Sequence, residues 1–262
     1  MQAPSAKLDF AALLERKNKV VGTLTQGVET LLKRNKVDII RGHGRLTSPG
    51  TVQVDGETFA AKNILIATGS KPAVPPIPGI EEAGVVDSTS VLELASLPAK
   101  AAVIGGGYIG LEFASFLAGA GSQVTVIEML PQIASGCDRD ISSRLLQDLR
   151  KQGIDIKVSS KVTALSRGRV EYVDGEGAAG SLTVDLILNA TGRVPVLEDL
   201  GLEEAGVDFD KKGIKTSDRG KTSVPGIWAC GDVTGRRQLA HAATREGLVA
   251  VANMFGGDER IR

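Results

Sequence analysis

Three glycines at the spacing G-x-G-x-x-G carry the clearest chemical signal in the sequence: Gly105, Gly107 and Gly110. An apolar, strand-like run at 101–104 precedes them, and a helical pattern begins at Tyr108. Glycine at these positions permits a tight turn, lets a pyrophosphate approach bare backbone and allows a helix to pack closely on a strand. Because the N-terminal end of a helix attracts anions, the motif predicts a dinucleotide-binding turn.

Glu128 is the acidic residue expected to accompany this turn. It stands at the end of the next strand-like run, 123–127, where a carboxylate can accept hydrogen bonds from both hydroxyls of a ribose. The same carboxylate would repel a 2′-phosphate by roughly 4 kcal/mol at about 4 Å with moderate screening. NAD is therefore favoured over NADP. A solvated charge at a strand end is the alternative interpretation, and Arg139 and Arg144 nearby leave it open.

Composition excludes several classes of partner. The 262 residues include 31 basic and 31 acidic side chains, and this balance predicts binding to neither nucleic acid nor a membrane. No apolar run reaches the roughly 18 residues that would suggest a membrane span, and no export signal follows Met1. We therefore expect a soluble, cytoplasmic protein.

The cysteines and histidines form no catalytic or metal-binding pattern. Cys137 and Cys230 lack the spacing of a redox pair or a metal site. His43 and His241 have no neighbouring pattern typical of nucleophilic or metal chemistry. The sequence thus predicts no metal ion and offers no catalytic side chain.

Strand and helix patterns alternate through the middle of the chain, which predicts an α/β domain with a parallel sheet. The stretch 169–188 is typical of an inserted antiparallel element. The expected strands are 101–104, 123–127, 154–158, 162–165, 169–173 and 184–189, and the expected helices are 108–118 and 140–151.

The two ends of the chain look like parts of a second domain. An amphipathic helix is expected at 8–34, followed by short strands at 37–40, 51–54 and 63–67. Four prolines within 71–79 predict an extended linker that cannot join a regular ladder. The tail, with a strand at 226–229 and a helix at about 240–254, is too short to fold alone. We infer that the ends pack together and that the middle domain is an insertion.

Three further glycine turns follow apolar strands at 67–70 (ATGS), 190–193 (ATGR) and 229–232 (ACGD). Together with the segments GGGYIGLE, TSVPGIWACGD and LAHAATREG, they resemble the pyridine nucleotide-disulphide oxidoreductase family over nearly the whole chain. The resemblance implies an α/β fold of two Rossmann-like domains that bind FAD and NAD(P). The NAD domain would be 81–210, inserted in an incomplete FAD domain formed by 1–80 and 211–262.

The resemblance also implies a role for individual residues. Asp232 would bind the ribityl chain of FAD, and Ala240 would lie beside the isoalloxazine at a helix N-terminus. The FAD adenosine and diphosphate would contact Gly44, Thr68, Gly69 and Ser70. NAD would be lined by Gly105, Gly106, Gly107, Tyr108, Ile109, Gly110, Glu128, Val162, Ala190, Thr191, Gly192 and Arg193.

The resemblance also concerns two residues of the helical sequence that begins at Tyr108. Tyr108 resembles the residue that shields the flavin face, and Glu112 the one near the nicotinamide. Glu112 could equally be a surface carboxylate of its helix, because the lysine that pairs with it in the family belongs to a segment that these residues do not contain.

Several family features are not found in these 262 residues. They are an N-terminal G-x-G-x-x-G for FAD, a redox cysteine pair and a C-terminal interface domain with a His-Glu pair. We therefore expect a partial chain that is inactive alone and has exposed apolar patches, an unpaired sheet edge and poor solubility.

The resemblance implies that the complete protein is a homodimer that works within a 2-oxo acid dehydrogenase complex. It would pass two electrons from dihydrolipoamide through the cysteine pair to FAD and then, as a hydride, to NAD. A mercuric reductase, a transhydrogenase or another flavin reductase of the family is the alternative enzyme. A non-catalytic NAD-binding module is the alternative from another class.

Overall fold

The fold is taken from a computed structural model, which describes residues 8–261. The helices are α1 Phe10–Arg34, α2 Tyr108–Ala120, α3 Arg139–Lys151 and α4 Ala240–Met254, with 3-10 turns at Ser90–Glu93 and Gly231–Thr234. The strands are β1 Gly44–Ser48, β2 Thr51–Val54, β3 Glu57–Ala60, β4 Ile64–Ile66, β5 Ser70–Pro72, β6 Lys100–Ile104, β7 Gln123–Ile127, β8 Asp155–Lys157, β9 Lys161–Ser166, β10 Arg169–Val173, β11 Ala179–Thr183, β12 Leu186–Asn189, β13 Arg193–Pro195, β14 Phe209–Asp210, β15 Gly213–Ile214 and β16 Ile227–Ala229. The predicted α/β class is confirmed.

The chain divides into two compact units. The first consists of the described part of Met1–Leu31 together with Pro72–Gly192, and the second of Leu32–Lys71 together with the described part of Arg193–Arg262. These limits differ from the domain boundaries at 80 and 210, which were chosen from the proline-rich linker and the cofactor motifs. The boundaries of the cofactor-binding domains stay a prediction.

A parallel sheet in the order β12-β6-β7-β8 forms the centre of the first unit. Its strands alternate between two apolar cores, since Ala101 and Val103 pack with Leu117 of α2, whereas Ala102 and Ile104 face the other side. That other side is covered by the antiparallel sheet β9-β10-β11. The predicted antiparallel element at 169–188 supplies two of its strands, β10 and β11, whereas β12 pairs in parallel with β6. Burial on both faces explains why these strands are nearly continuous apolar runs.

The second unit is built from smaller sheets around one core. The antiparallel sheet β1-β2-β3 and the parallel pair β4-β16 contribute Leu46, Ile66 and Ile227 to that core, together with Leu202 and Val233. Helix α4 packs against β16 and the following 3-10 turn. The strands and helix expected in the tail are confirmed.

Two predictions about the second unit and its border were wrong. Residues 37–40 are not a strand, and Val37, Ile39 and Ile40 are exposed. The strands that pair with β2 are β1 and β3. Pro72 does belong to a strand, as the last residue of β5. A proline is tolerated at the end of a two-stranded ladder because its missing N–H breaks no interior bond.

Helix α1 carries an unpartnered apolar face. Within the described part of α1 no residue is fully buried, and five of its large aliphatic side chains are exposed. They are Val20, Val21, Leu24, Val28 and Leu31. Such a patch was expected, although its effect on solubility stays a prediction. Within residues 8–261, no helix combines the length and apolarity that a membrane crossing requires.

Candidate functional site

Steric limits at the glycine turn, residues 105–110, explain two of its glycines. Gly105 has φ +108°, and a Cβ atom there would overlap the carbonyl oxygen of Ala190. A Cβ atom at Gly110 would overlap the carbonyl oxygen of Gly105 and would also lie 3.3 Å from the Cβ atom of Ala190. The turn and the start of α2 can therefore pack against the end of β12 only if both residues are glycine.

Gly107 differs from these two because open space surrounds it. A Cβ atom at this residue would meet no heavy atom within 4 Å, and its φ of −78° is available to any residue. Gly107 caps the N-terminus of α2 and accepts the amide of Leu111 at 3.0 Å. A bare backbone beside open space at a helix N-terminus suits the approach of a pyrophosphate.

The Glu128 carboxylate is fixed to this turn. Its Oε2 atom accepts a hydrogen bond from the Gly106 amide at 2.5 Å, and its Oε1 atom accepts one from the Leu130 amide at 2.7 Å. A Cβ atom at Gly106 would lie 3.0 to 3.1 Å from three atoms of the Glu128 side chain. The glycine at 106 therefore leaves room for the acid, a function that the motif alone did not reveal.

A groove of about 900 Å³ opens beside the turn in the first unit. Seven of the residues predicted to bind NAD line it: Gly105, Gly107, Glu128, Val162, Ala190, Thr191 and Gly192. Met129 and Leu130 add apolar surface suited to a planar base, and Lys161 adds a positive charge. The volume lies within the usual range for small-molecule sites, so the residues present fit a dinucleotide.

Tyr108 and Glu112 do not line this groove. The Tyr108 hydroxyl is 3.8 Å from the Cys137 Sγ atom, and this hydrogen-bonding contact raises the pKa of the tyrosine. Glu112 borders a separate cavity of about 280 Å³, together with Phe113 and Phe116 of α2 and apolar side chains of α1. The structure therefore leaves the predicted proximity of Glu112 to the nicotinamide untested.

A second polar cluster lies in the second unit and consists of Ser70, Arg193 and Asp232. The Ser70 hydroxyl donates to Asp232 Oδ2 at 2.6 Å and accepts from Arg193 Nε at 2.7 Å. The Arg193 guanidinium also donates to the Ser70 carbonyl at 2.6 Å. Because arginine can only donate, the serine proton must point to the aspartate. The hydrogen bond from Ser70 thus holds the Asp232 carboxylate, which was predicted to bind the ribityl chain of FAD.

Glu246 supports the same turn from the opposite side and was missed by the sequence reasoning. It is buried in α4, and its Oε2 atom accepts the Gly231 amide at 2.7 Å. Burial raises the pKa of the adjacent Cys230 thiol, and the charge of Glu246 raises it further. An acid on the apolar face of an amphipathic helix is the signal that could have identified this residue.

The other residues predicted for FAD lie in the same unit. Gly69, with φ +73°, has open space where a Cβ atom would stand, and Thr68 donates to the Val196 carbonyl at 3.0 Å. Gly44 begins β1, and Ala240 begins α4. No group of three or more acidic, histidine or cysteine side chains within residues 8–261 could hold a metal ion.

Comparisons with known proteins agree on one family. The model of the pyridine nucleotide-disulphide oxidoreductases matches residues 2–247. The mitochondrial dihydrolipoyl dehydrogenase of Dictyostelium discoideum is 38% identical over all of this chain, which spans 56% of that protein. The dihydrolipoyl dehydrogenase of Acholeplasma laidlawii is 40% identical over 94% of this chain and 74% of its own length.

A solved structure gives the same result. The HOCl-induced flavoprotein disulfide reductase RclA from Escherichia coli superposes with a TM-score of 0.87 and 34% identity. The match covers 97% of this chain and 59% of RclA. The chain thus spans little more than half the length of two of these three proteins.

Proposed function

This chain belongs to the pyridine nucleotide-disulphide oxidoreductase family, whose members use FAD and NAD, and from that premise we propose that it binds NAD(H) in the groove beside the glycine turn. The observation that carries the proposal is the Glu128 carboxylate, held by the Gly106 and Leu130 amides at the edge of that groove. Its negative charge favours ribose hydroxyls over a 2′-phosphate, so NAD is the expected nucleotide.

In this proposal each part of the groove has a separate task. The amides at the N-terminus of α2 receive the pyrophosphate beside Gly107, and Glu128 receives the adenosine ribose. Val162 and the turn formed by Ala190, Thr191 and Gly192 line the rest of the nucleotide. Tyr108 and Glu112 are assigned to the flavin and nicotinamide end by the family motif alone.

FAD is assigned to the second unit. Asp232 would receive hydroxyls of the ribityl chain, with Ser70 and Arg193 holding the carboxylate in place. Gly44, Thr68 and Gly69 would contact the adenosine and diphosphate, and Ala240 would place the N-terminus of α4 beside the isoalloxazine. When bound, FAD would take up two electrons and deliver them to NAD as a hydride. The FAD domain would comprise 1–80 and 211–262, and the NAD domain 81–210.

The proposed activity of the complete protein is dihydrolipoyl dehydrogenase, acting as a homodimer in the cytoplasm. The names of the relatives support the reaction, and they include mitochondrial proteins, so the compartment needs its own test. The similarity to RclA supports a second candidate, a flavoprotein disulphide reductase with another substrate. The redox cysteine segment that would separate these candidates is not found in this sequence.

The first experiment is a visible absorption spectrum of the purified chain, followed by anaerobic addition of NADH and by calorimetric titration with NADH. We expect NADH to bind at one site per chain. A flavin band that NADH bleaches would support both cofactor assignments. NADH binding without a flavin band would support the nucleotide groove and contradict FAD binding by this chain. Failure to bind NADH would overturn the proposal.

A further inference from the structure

Asn189, the last residue of β12, makes hydrogen bonds that the cofactor motifs do not explain. Its side chain is buried, with 6% of its surface exposed. The Nδ2 atom donates to the Ala73 carbonyl at 2.7 Å. The Oδ1 atom accepts the Thr191 hydroxyl at 2.8 Å and the Thr191 amide at 3.2 Å. One carboxamide thus joins two segments that are far apart in sequence.

These two segments are walls of the nucleotide groove. Ala73 and the prolines that follow it line the groove, as do Thr191 and Gly192. The Ala73 amide donates in return to the Gly192 carbonyl at 3.0 Å. Residue 73 is therefore bonded through both its N–H and its C=O groups to the end of β12 and the turn after it.

The proline-rich wall, residues 73–78, depends on few anchors because prolines lack an N–H group. Pro75, Pro76 and Pro78 cannot donate backbone hydrogen bonds. At its far end the wall is held by the Leu165 amide, which donates to the Pro78 carbonyl at 2.8 Å. At its near end it is held by two hydrogen bonds of Ala73, one from its amide to the Gly192 carbonyl and one from the Asn189 side chain to its own carbonyl. Asn189 is therefore the side chain that ties the near end of this wall to the opposite wall.

The chemistry of the position requires a carboxamide. Asn supplies a donor for Ala73 and an acceptor for Thr191 at the same time. An Asp would keep the acceptor but direct a carboxylate oxygen at the Ala73 carbonyl. Leu would supply neither group and would leave buried polar atoms without partners.

We propose that Asn189 is a positioning residue for NAD(H): it holds the proline-rich wall against the turn at 190–192 and so sets the width of the groove and the affinity for the nucleotide. The inference rests on the proposed NAD binding. Asn189 itself is not required to touch the nucleotide.

The test compares Asn189→Asp with Asn253→Asp in the purified full chain. Asn253 is a matched control, because it is also a buried asparagine whose carboxamide bonds to backbone groups. Its Nδ2 atom donates to the Glu259 carbonyl at 2.9 Å, and its Oδ1 atom accepts the Glu259 amide at 2.9 Å. It lies in the second unit. The readouts are the NADH dissociation constant by calorimetry, the melting temperature, and hydrogen exchange of the amides between residues 73 and 80.

We expect Asn189→Asp to raise the NADH dissociation constant about tenfold, the effect of one lost hydrogen bond that holds the site, and to speed exchange of the Ala73 amide. Asn253→Asp should lower the melting temperature but leave the NADH dissociation constant and the exchange rate of the Ala73 amide unchanged. An unchanged Ala73 exchange rate or unchanged NADH affinity in Asn189→Asp would overturn the inference.

A second variant keeps the test decisive if Asn189→Asp does not fold. Asn189→Ser removes the donor to Ala73 without burying a charge, and the same two changes are expected. If the unaltered chain bound no NADH, the proposed function would fail, whereas the exchange rate of the Ala73 amide would still decide whether Asn189 holds the wall.

Discussion

The Glu128 carboxylate accepts a hydrogen bond from the Gly106 amide at 2.5 Å, so the acid at the end of β7 is tied to the turn that follows β6. Parallel pairing of the two strands brings these residues together, with Ile104 opposite Ile127. The acid is therefore oriented before any nucleotide arrives. Preorganisation of this kind reduces the entropy lost on binding.

Replacement of Glu128 by Gln tests the assigned nucleotide preference. The substitution removes the charge and presents an NH₂ group to one of two backbone donors, so NADH should bind about tenfold more weakly, a loss of about 1.4 kcal/mol. The difference in affinity between NADH and NADPH should become smaller, because the variant no longer repels the 2′-phosphate of NADPH. Fluorescence titrations with both nucleotides measure the ratio. Glu176→Gln, at an exposed turn of the same unit, should leave it unchanged. An unaltered NADH/NADPH ratio in Glu128→Gln would count against the assignment.

Two alanine substitutions in the glycine turn should separate an effect on stability from an effect on NADH binding. Gly110→Ala places a methyl group on the Gly105 carbonyl, so overpacking should destabilise the first unit by roughly 1–3 kcal/mol or prevent folding. Gly107→Ala places the methyl group in open space and should leave the melting temperature unchanged while weakening NADH binding. Thermal unfolding and calorimetry separate the two effects. Normal NADH affinity in Gly107→Ala would contradict the placement of the pyrophosphate beside Gly107.

The Ser70 hydroxyl should contribute both to the stability of the second unit and to its affinity for FAD. Ser70→Ala removes the hydroxyl to which both Arg193 and Asp232 are hydrogen-bonded, so the free energy of unfolding should fall by about 1–2 kcal/mol. FAD, measured by equilibrium dialysis, should bind more weakly, whereas NADH should bind as before. Ser143→Ala is the control, since this hydroxyl is exposed and bonds only within α3. Equal loss of FAD and NADH binding would indicate general unfolding rather than a flavin site.

The Asp87 carboxylate should contribute a pH-dependent part of the stability. Hydrogen bonds from the Ser90 amide and hydroxyl and from the Thr89 amide lower its pKa below the ordinary value of 3.8. A lowered pKa stabilises the fold above the unfolded-state pKa, and this contribution is lost as the pH falls through the folded-state pKa. The difference in unfolding free energy between the unaltered chain and Asp87→Ala should therefore be constant near neutral pH and shrink below about pH 4. Urea unfolding across that range measures it, and a difference that grows on acidification would contradict the prediction.

Local patterns predicted much of this fold. The limits of α4 and β10 and the glycine turn follow from periodicity and spacing over a few residues, which a sequence displays directly. Residues 37–40 show where such reasoning fails, because an apolar β-prone segment becomes a strand only if a partner strand is available.

The bonds that organise the candidate sites were not predictable in the same way. Asn189 meets Ala73 across 116 positions, and Ser70 meets Asp232 across 162. Neither pairing leaves a local periodic trace, and a polar residue that ends an apolar strand is equally consistent with a solvated turn. Only the three-dimensional structure shows that Asn189 bonds to the proline-rich wall and that Ser70 bonds to the turn at Asp232.

The pairing of β4 with β16 has a consequence for biosynthesis. Ile64 lies opposite Ile227, so β4 leaves the ribosome long before its partner has been synthesised. The strands β6, β7 and β8 follow one another closely and can pair as they emerge, whereas β4 must wait until β16 has been synthesised. We therefore expect the second unit to form later than the β6-β7-β8 sheet, and β4 to lack its partner strand during that interval.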